Sequence, residues 1–156
     1  MSAPTRVFIA RLTGASVFDP SGDQLGKIRD VVATLRADPR PPRIIGLVLE
    51  VQPRRRIFVP MTRVTSIDAG GVVISGLLNL RRFEQRPGEL LVVGELLDSP
   101  VTLVEDETTV TLLDVGMEQL RTRDWEVVKV YVQRKGKTLR RRGEQVPGAR
   151  PVGTHG

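Results

Sequence analysis

The sequence predicts an all-β protein made of two tandem small antiparallel β-barrels, of which the second is divergent. Short apolar runs alternate with turn residues such as Gly, Pro and Asp, which is typical of strands joined by hairpins. Aromatic residues make up only 4% of the chain, so β-branched aliphatic side chains must supply most of the core. The order of strands and turns also recurs at a spacing of 82 to 84 residues, and 156 residues suffice for two small domains.

The first predicted barrel covers residues 11–84. Turn residues at 19–22, 52–56 and 68–71 separate its strands. The run 24–35 has a spacing that also suits a three-turn helix, but turns on both sides favour a long strand bent at Gly26. A short helix is expected over 77–83. Six strands are predicted, at residues 15–18, 24–35, 44–51, 57–60, 64–67 and 72–75.

The second predicted barrel covers residues 88–146, and the Pro- and Gly-rich residues 147–156 are expected to form a flexible tail. Too few residues remain after Pro147 for a closing hairpin, which would leave an unpaired strand edge. A second copy of the chain can cover such an edge symmetrically, so a homodimer is expected. An apolar run at 90–97 precedes four predicted strands, at residues 101–104, 108–115, 127–132 and 138–141.

The internal repeat depends on a few short matches. Asp30-Val31 corresponds to Asp114-Val115 at a shift of 84, and residues 55–58 correspond to 137–140 at a shift of 82. Sequence identity between the halves is low, so the order of elements carries the inference.

Composition excludes several kinds of active site. The chain has no cysteine and a single histidine, His155, which rules out thiolate zinc sites, thiol nucleophiles and histidine-based triads. Residues 22–27 end in glycine and lysine but lack the phosphate-loop pattern. Glu105-Asp106-Glu107 lacks the alternating spacing of a calcium loop and indicates an acidic turn. We therefore expect no catalytic residue, no metal ligand and no cofactor.

Charge is unevenly distributed along the chain. The formal charge of +6 divides into +7 over residues 1–88, −8 over 89–126 and +7 over 127–156. Part of it can therefore be matched within the fold, which weakens the inference of nucleic-acid binding from basicity alone. No apolar run is long enough to span a membrane, and the N-terminus lacks a cleavage signature, so the expected location is the cytoplasm.

Two arginine clusters are the candidate binding residues: Arg54, Arg55 and Arg56, and Arg140, Arg141 and Arg142. Both occupy predicted hairpins, where they could bind the phosphates of RNA or of lipid, or an acidic partner. The alternative is a solvated hairpin tip with partly matched charges. No aromatic residue lies within either cluster, so stacking of bases is not supported. Trp125 begins a strand and is expected to anchor the packing between the two barrels, with a partner contact as the alternative.

Residues 11–76 resemble the PRC-barrel family, small β-barrels found in the photosynthetic reaction-centre H subunit and in the ribosome-maturation factor. The resemblance rests on the ordered runs 14–32, which contains Leu25-Gly26-Lys27-Ile28, then 43–51 and 57–60. The second half looks like a divergent copy, in which residues 103–110 replace the turn that contains Gly22 and Gly26.

The tandem arrangement, together with residues 76–84, also resembles the N-terminal region of actinobacterial proteins that carry an MgtE-N-like domain and CBS domains. This resemblance implies a link to magnesium transport. The expected function is a non-catalytic cytoplasmic adaptor or regulatory module that acts through protein contacts. Binding to RNA or the ribosome through the arginine clusters is the alternative, and an enzyme is the weakest one.

Overall fold

The computed structural model describes residues 6–36, 40–52, 54–68, 70–77, 79–102, 107–134 and 150–151. Twelve strands belong to one sheet, so the prediction of an all-β protein is confirmed. Helical structure within the described residues is limited to α1 (Ile9–Leu12), a 3-10 turn (Met61–Arg63) and a π turn (Val92–Leu96). The strands are β1 (Arg6–Phe8), β2 (Ser16–Phe18), β3 (Gln24–Thr34), β4 (Arg43–Gln52), β5 (Arg55–Pro60), β6 (Val64–Asp68), β7 (Gly71–Ile74), β8 (Glu89–Leu91), β9 (Pro100–Thr102), β10 (Thr109–Gln119), β11 (Trp125–Arg134) and β12 (Arg150–Pro151).

The first half contains a nearly closed barrel. Strands follow the order β4-β3-β2-β7-β6, and β5 pairs with β4. Strand β5 leads through the 3-10 turn directly into β6, which brings the two ends of the curved sheet together. Each of the six strands predicted for this half is present. Inward-facing side chains that are almost fully buried form the core, among them Val17, Ile28, Val31, Leu47, Leu49, Val59, Val72 and Ile74.

The run 24–35 is the long strand β3, and the helical alternative is wrong. Gly26 does not take a left-handed conformation; it is required because β4 approaches closely. A Cβ atom on Gly26 would lie 2.2 Å from the carbonyl oxygen of Glu50. Register shifts that mark β-bulges occur beside Gly26, where Leu25 is the extra residue opposite β2, and between Ile28 and Asp30 opposite β4.

The helix expected over 77–83 is wrong. Residues 80–83 instead run beside β5: the Phe58 N–H donates to the carbonyl of Arg81 (3.0 Å), and the Phe83 N–H donates to that of Arg56 (2.9 Å). Ile57 and Arg82 form an antiparallel bridge between them. The outer edge of β5 carries unpaired backbone groups, and an extended segment satisfies them where a helix cannot. This stretch is called segment 80–83 below.

The first strand of each half pairs with the other half. We call β1 with α1 (residues 6–12) the first leading segment, and β8 with the π turn (residues 89–96) the second leading segment. Strand β1, from the start of the chain, pairs with β10 of the second half through Arg6↔Glu118, Val7↔Met117 and Phe8↔Gly116. Strand β8, from the start of the second half, pairs with β3 of the first through Glu89↔Thr34, Leu90↔Ala33 and Leu91↔Val32. A helical turn follows each of them, α1 after β1 and the π turn after β8. Residues 6–12, which the sequence did not assign to either barrel's strands, thus form a strand and a helical turn that dock on the second half.

Corresponding hydrogen bonds recur about 84 residues apart. The Gly14 N–H donates to the Ile28 carbonyl and the Asp98 N–H to the Leu112 carbonyl, both at 2.7 Å. Gly14 and Asp98 both have positive φ, 88° and 61°. The division into two tandem barrels, with boundaries at 11–84 and 88–146, stays a prediction.

One continuous sheet joins the halves. Strand β11 pairs with β4 through Trp125↔Ile44 and Glu126↔Arg43. The predicted strand 138–141 lies outside the described residues. Within the predicted tail 147–156 the structure describes Arg150 and Pro151, which form β12 beside β9.

Candidate functional site: an arginine-rich surface

The arginine cluster at residues 54–56 lies at the turn between β4 and β5. Arg54 occupies the turn itself with a φ of 70°, and Arg55 and Arg56 begin β5. All three residues are exposed. The second predicted cluster, Arg140, Arg141 and Arg142, lies outside the described residues, so the structure does not show whether the two clusters meet.

Segment 80–83 adds two arginines that the sequence reasoning missed. Its backbone pairing with β5 places Arg81 opposite Phe58 and Arg82 opposite Ile57. Because side chains alternate along a strand, Arg81 shares the outer face with Arg56, and Arg82 lies on the other face with Arg55. We call the set Arg54, Arg55, Arg56, Arg81 and Arg82 the arginine surface. The missed signal was the pattern Leu80-Arg81-Arg82-Phe83, in which apolar and basic residues suit an edge strand as well as a helix end.

Arginine and phenylalanine alternate on the outer face of these two strands. Antiparallel pairing sets Arg56 beside Phe83 and Phe58 beside Arg81. The Arg81 guanidinium carbon lies 4.6 Å from the centre of the Phe58 ring, a cation–π distance. The rings of Phe58 and Phe83 stack with centroids 6.5 Å apart. Arg81 is therefore held in a fixed position.

These rings also belong to a small apolar cluster on the outside of the sheet. Phe58 is buried with Val32 and Val48, and Phe83 is half-buried against them. Neither predicted cluster contains an aromatic residue, and the structure adds two that lie near Arg56 and Arg81 in space. Because Phe58 is only 9% exposed, the rings support the arginines and offer little free face to a ligand.

Glu50 is the carboxylate that forms ion pairs with the described arginines here. It accepts Arg29 Nε at 3.3 Å and lies 3.7 Å from Arg56 Nε. Both pairs are partly exposed, and pairs of this kind contribute little to stability. The buried Asp30 carboxylate also attracts Arg56. Among the described residues, five arginines against these two carboxylates leave positive charge uncompensated. The described part of this surface can therefore accept further carboxylate or phosphate oxygens.

Trp125 lies where the two halves meet. It begins β11 and stands opposite Ile44 of β4, and its side chain is 6% exposed within the core. Burial of a large indole at this position stabilises the junction between the halves. A contact between Trp125 and a partner protein stays a prediction.

Asp30 is a buried carboxylate that the sequence reasoning used only to align the repeat. Its Oδ1 accepts the N–H groups of Val31 (2.8 Å) and Val93 (2.7 Å), and its Oδ2 accepts that of Gly94 (2.9 Å). Burial raises the pKa of Asp30, and the three N–H donors oppose that rise. Each carboxylate oxygen of Asp30 accepts one N–H of the π turn, and Oδ1 also accepts one of β3. Asp30 therefore holds the second leading segment against the first half. The sequence signal for a buried carboxylate was an acidic residue directly before two valines in an apolar strand.

Nothing in the described residues resembles a metal centre. No group of three or more His, Asp or Glu side chains lies close enough there to hold a metal ion. Of the acidic run at 105–107, only Glu107 is described, with a positive φ of 57°. None of the helices in the described ranges has the length and apolar character of a membrane span.

Comparison with protein families identifies two regions of the chain. Residues 4–76 match the family model of the PRC-barrel domain, in agreement with the resemblance of residues 11–76. Residues 90–147 match the family model described as Actinomycetes SH3 domain, where a second PRC-like barrel was expected. No curated protein matches the chain. The resemblance to MgtE-N-like proteins has no counterpart among these matches and stays a prediction. Residues 4–76 are therefore similar to a PRC-barrel domain, and residues 90–147 are similar to an actinomycete SH3 domain.

Proposed function

We propose that the protein is a non-catalytic binding module that docks an acidic segment of a partner protein on the arginine surface. The observation that carries this proposal is the pairing of segment 80–83 with β5, which collects five arginines from two distant parts of the sequence. Guanidinium groups bind carboxylates with two parallel hydrogen bonds. Backbone pairing fixes where these arginines lie, which lowers the entropy that is lost when an acidic segment binds.

RNA is the second candidate ligand, because phosphates bind guanidinium groups by the same geometry. Single-stranded RNA-binding sites usually add exposed aromatic faces on which bases stack. Here Phe58 is 9% exposed and lies against Arg81. The geometry thus favours carboxylates over stacked nucleotides.

We also propose that this module is a duplicated pair of barrels. Support comes from the bulges at Ile28/Asp30 in β3 and at Leu112/Asp114 in β10, which lie 84 residues apart. The reciprocal pairing of β1 with β10 and of β8 with β3 has the same spacing to within one residue. The cytoplasmic location, the homodimer and the link to magnesium transport remain predictions beside this proposal.

The experiment compares an acidic peptide with an RNA of similar length. The full chain is titrated at low salt with a fluorescent deca-glutamate peptide and with a fluorescent ten-nucleotide uridine RNA. The double variant Arg55→Glu/Arg82→Glu removes two exposed members of the arginine surface. Arg121→Glu/Arg123→Glu is the matched control, because both residues are exposed on the turn between β10 and β11.

We expect the Arg55/Arg82 variant to bind the peptide about tenfold more weakly, and the control variant to bind like the parent, since two charge-assisted contacts are lost in the first variant alone. Added salt should weaken binding further. Binding of the RNA but not of the peptide would replace the proposed partner class with RNA. Equal loss in both double variants would overturn the arginine surface as a binding site.

A further inference from the structure

A groove lies beside the first leading segment, and none of its lining residues belongs to the arginine surface. It is open to solvent, has a volume of about 550 Å³ and lies between β1 and α1 on one side and β2 with the β6–β7 turn on the other. This volume falls within the range of roughly 300–1,000 Å³ that is usual for small-molecule sites. The groove exists because the first leading segment crosses to β10.

Two phenylalanine rings form its apolar walls, and glycines position both. A Cβ atom on Gly116 would lie 3.0 Å from the Phe8 ring, which also packs against Tyr131 with centroids 5.3 Å apart. A Cβ atom on Gly71 would lie 2.9 Å from the Phe18 ring. Close packing on one side of each ring leaves its other atoms to the groove, where both residues are half-buried. The walls are thus formed before a ligand arrives.

The charged groups of the groove differ in what they bind. Arg6 Nε donates to Glu118 at 2.6 Å, and Asp68 Oδ1 accepts the Gly70 N–H at 2.8 Å. Arg11 is exposed at the groove, and no described residue forms an ion pair with it. Its guanidinium can therefore bind an anion without breaking an internal contact.

We propose that this groove binds a small amphipathic anion, with the apolar body between Phe8 and Phe18 and the anionic head on Arg11. The apolar walls provide binding free energy through burial of hydrocarbon. The Arg11 guanidinium attracts a negative head group and repels a positive one. Asp68 also lines the groove and keeps its charge while it accepts the Gly70 N–H, so tighter binding of decylammonium than of decanoate would assign the head-group site to Asp68 and overturn the proposal.

The test uses three ligands of one chain length and different head groups. Full-length protein is titrated with decanoate, decan-1-ol and decylammonium, each below its micelle concentration, and amide chemical shifts of β1, β2 and α1 are followed by NMR. The variant Arg11→Glu removes the proposed anion contact. Arg55→Glu is the control, since it lies on the arginine surface and not in the groove.

We expect saturable binding of decanoate with shifts confined to the groove, and binding about tenfold weaker for decan-1-ol and for the Arg11 variant. The Arg55 control should bind decanoate like the parent. Absence of saturation, or equal affinity for the acid and the alcohol, would overturn the proposal. Because the Arg55 control concerns the arginine surface only, failure here leaves the proposed acidic-peptide site unaffected.

Discussion

The two leading segments dock on the two long strands in the same way, yet they are held differently. Asp30 accepts N–H groups from both Val93 and Gly94 of the π turn, whereas Asp114 accepts only that of Ala10 in α1, at 3.0 Å. Each aspartate also accepts the N–H of the residue that follows it. Asp30 is buried and Asp114 is half-buried. The first half therefore holds its incoming segment more tightly than the second.

One additional residue in a helical turn explains the difference. The π turn spans five residues and α1 spans four, a common form of single-residue insertion. The offset between the halves consequently changes from 83 residues at Ile9 and Val92 to 84 at Leu12 and Leu96. The wider turn presents two N–H groups to Asp30, and Gly94 permits this approach because its Cβ would lie 3.2 Å from Oδ2. An insertion can thus strengthen a contact while the following strands keep their register.

The tightest contact of the first barrel also has no counterpart in the second half. Gly26 of β3 lies under the carbonyl of Glu50, while the residue 84 positions later is Val110, which is buried in β10. The first barrel has no room for a side chain at this position, and the second accommodates a valine. The difference shows that β3 and β4 approach more closely at this position than β10 and β11 do.

The largest expected effect comes from filling that space. Gly26→Val should lower the free energy of unfolding by about 4 kcal/mol or abolish folding, because the backbone of β4 must move. The matched change Val110→Ala removes apolar contacts only and should cost about 2 kcal/mol. Thermal unfolding followed by circular dichroism measures both. Equal melting temperatures for the parent and the Gly26 variant would contradict the close approach of β4.

The second prediction compares the two aspartates. Asp30→Ala leaves three N–H groups without their acceptor and should cost about 3 kcal/mol. Asp114→Ala leaves two, of which that of the exposed Ala10 can bind water instead, and should cost about 1 kcal/mol. Urea unfolding of the full chain gives both values. Similar losses for the two variants would show that the additional N–H of Gly94 adds no stability.

The smallest expected effect concerns the cross-strand pairs where the segments dock. Phe8 lies opposite Gly116, and the corresponding pair in the other half is Leu91 opposite Val32. Gly116→Val alone should cost about 2 kcal/mol, because its side chain meets the Phe8 ring. The double variant Phe8→Leu/Gly116→Val reproduces the pair of the other half and should recover about 1 kcal/mol of that loss.

A double-mutant cycle from urea unfolding measures this coupling. Its control pairs Gly116→Val with Leu91→Ile, a change at the other docking site that should be additive. Zero coupling between positions 8 and 116 would mean that the two docking sites are not equivalent.

Local signals in the sequence were sufficient for most strands of the first half. Turn residues at 19–22 and 68–71 bracket β2, β3, β6 and β7, and each strand lies within a few residues of its predicted position. The prediction of a helix over 77–83 was wrong because Arg81 and Arg82 have good helix propensity. The unpaired edge of β5 decides their extended conformation. Arg54, Arg55 and Arg56 were identified as candidates, but their association with Arg81 depends on that same edge.

The sequence by itself determined the all-β class and the barrel strands of the first half, because these follow from residue types and local periodicity. Tertiary structure alone decided the exchange of leading segments, since the partners of β1 and β8 are more than fifty residues away along the chain. It also decided that Asp30 binds the π turn and that a groove opens beside Arg11. Contacts between distant segments depend on how the strands close in space, and no local pattern of residues encodes that closure.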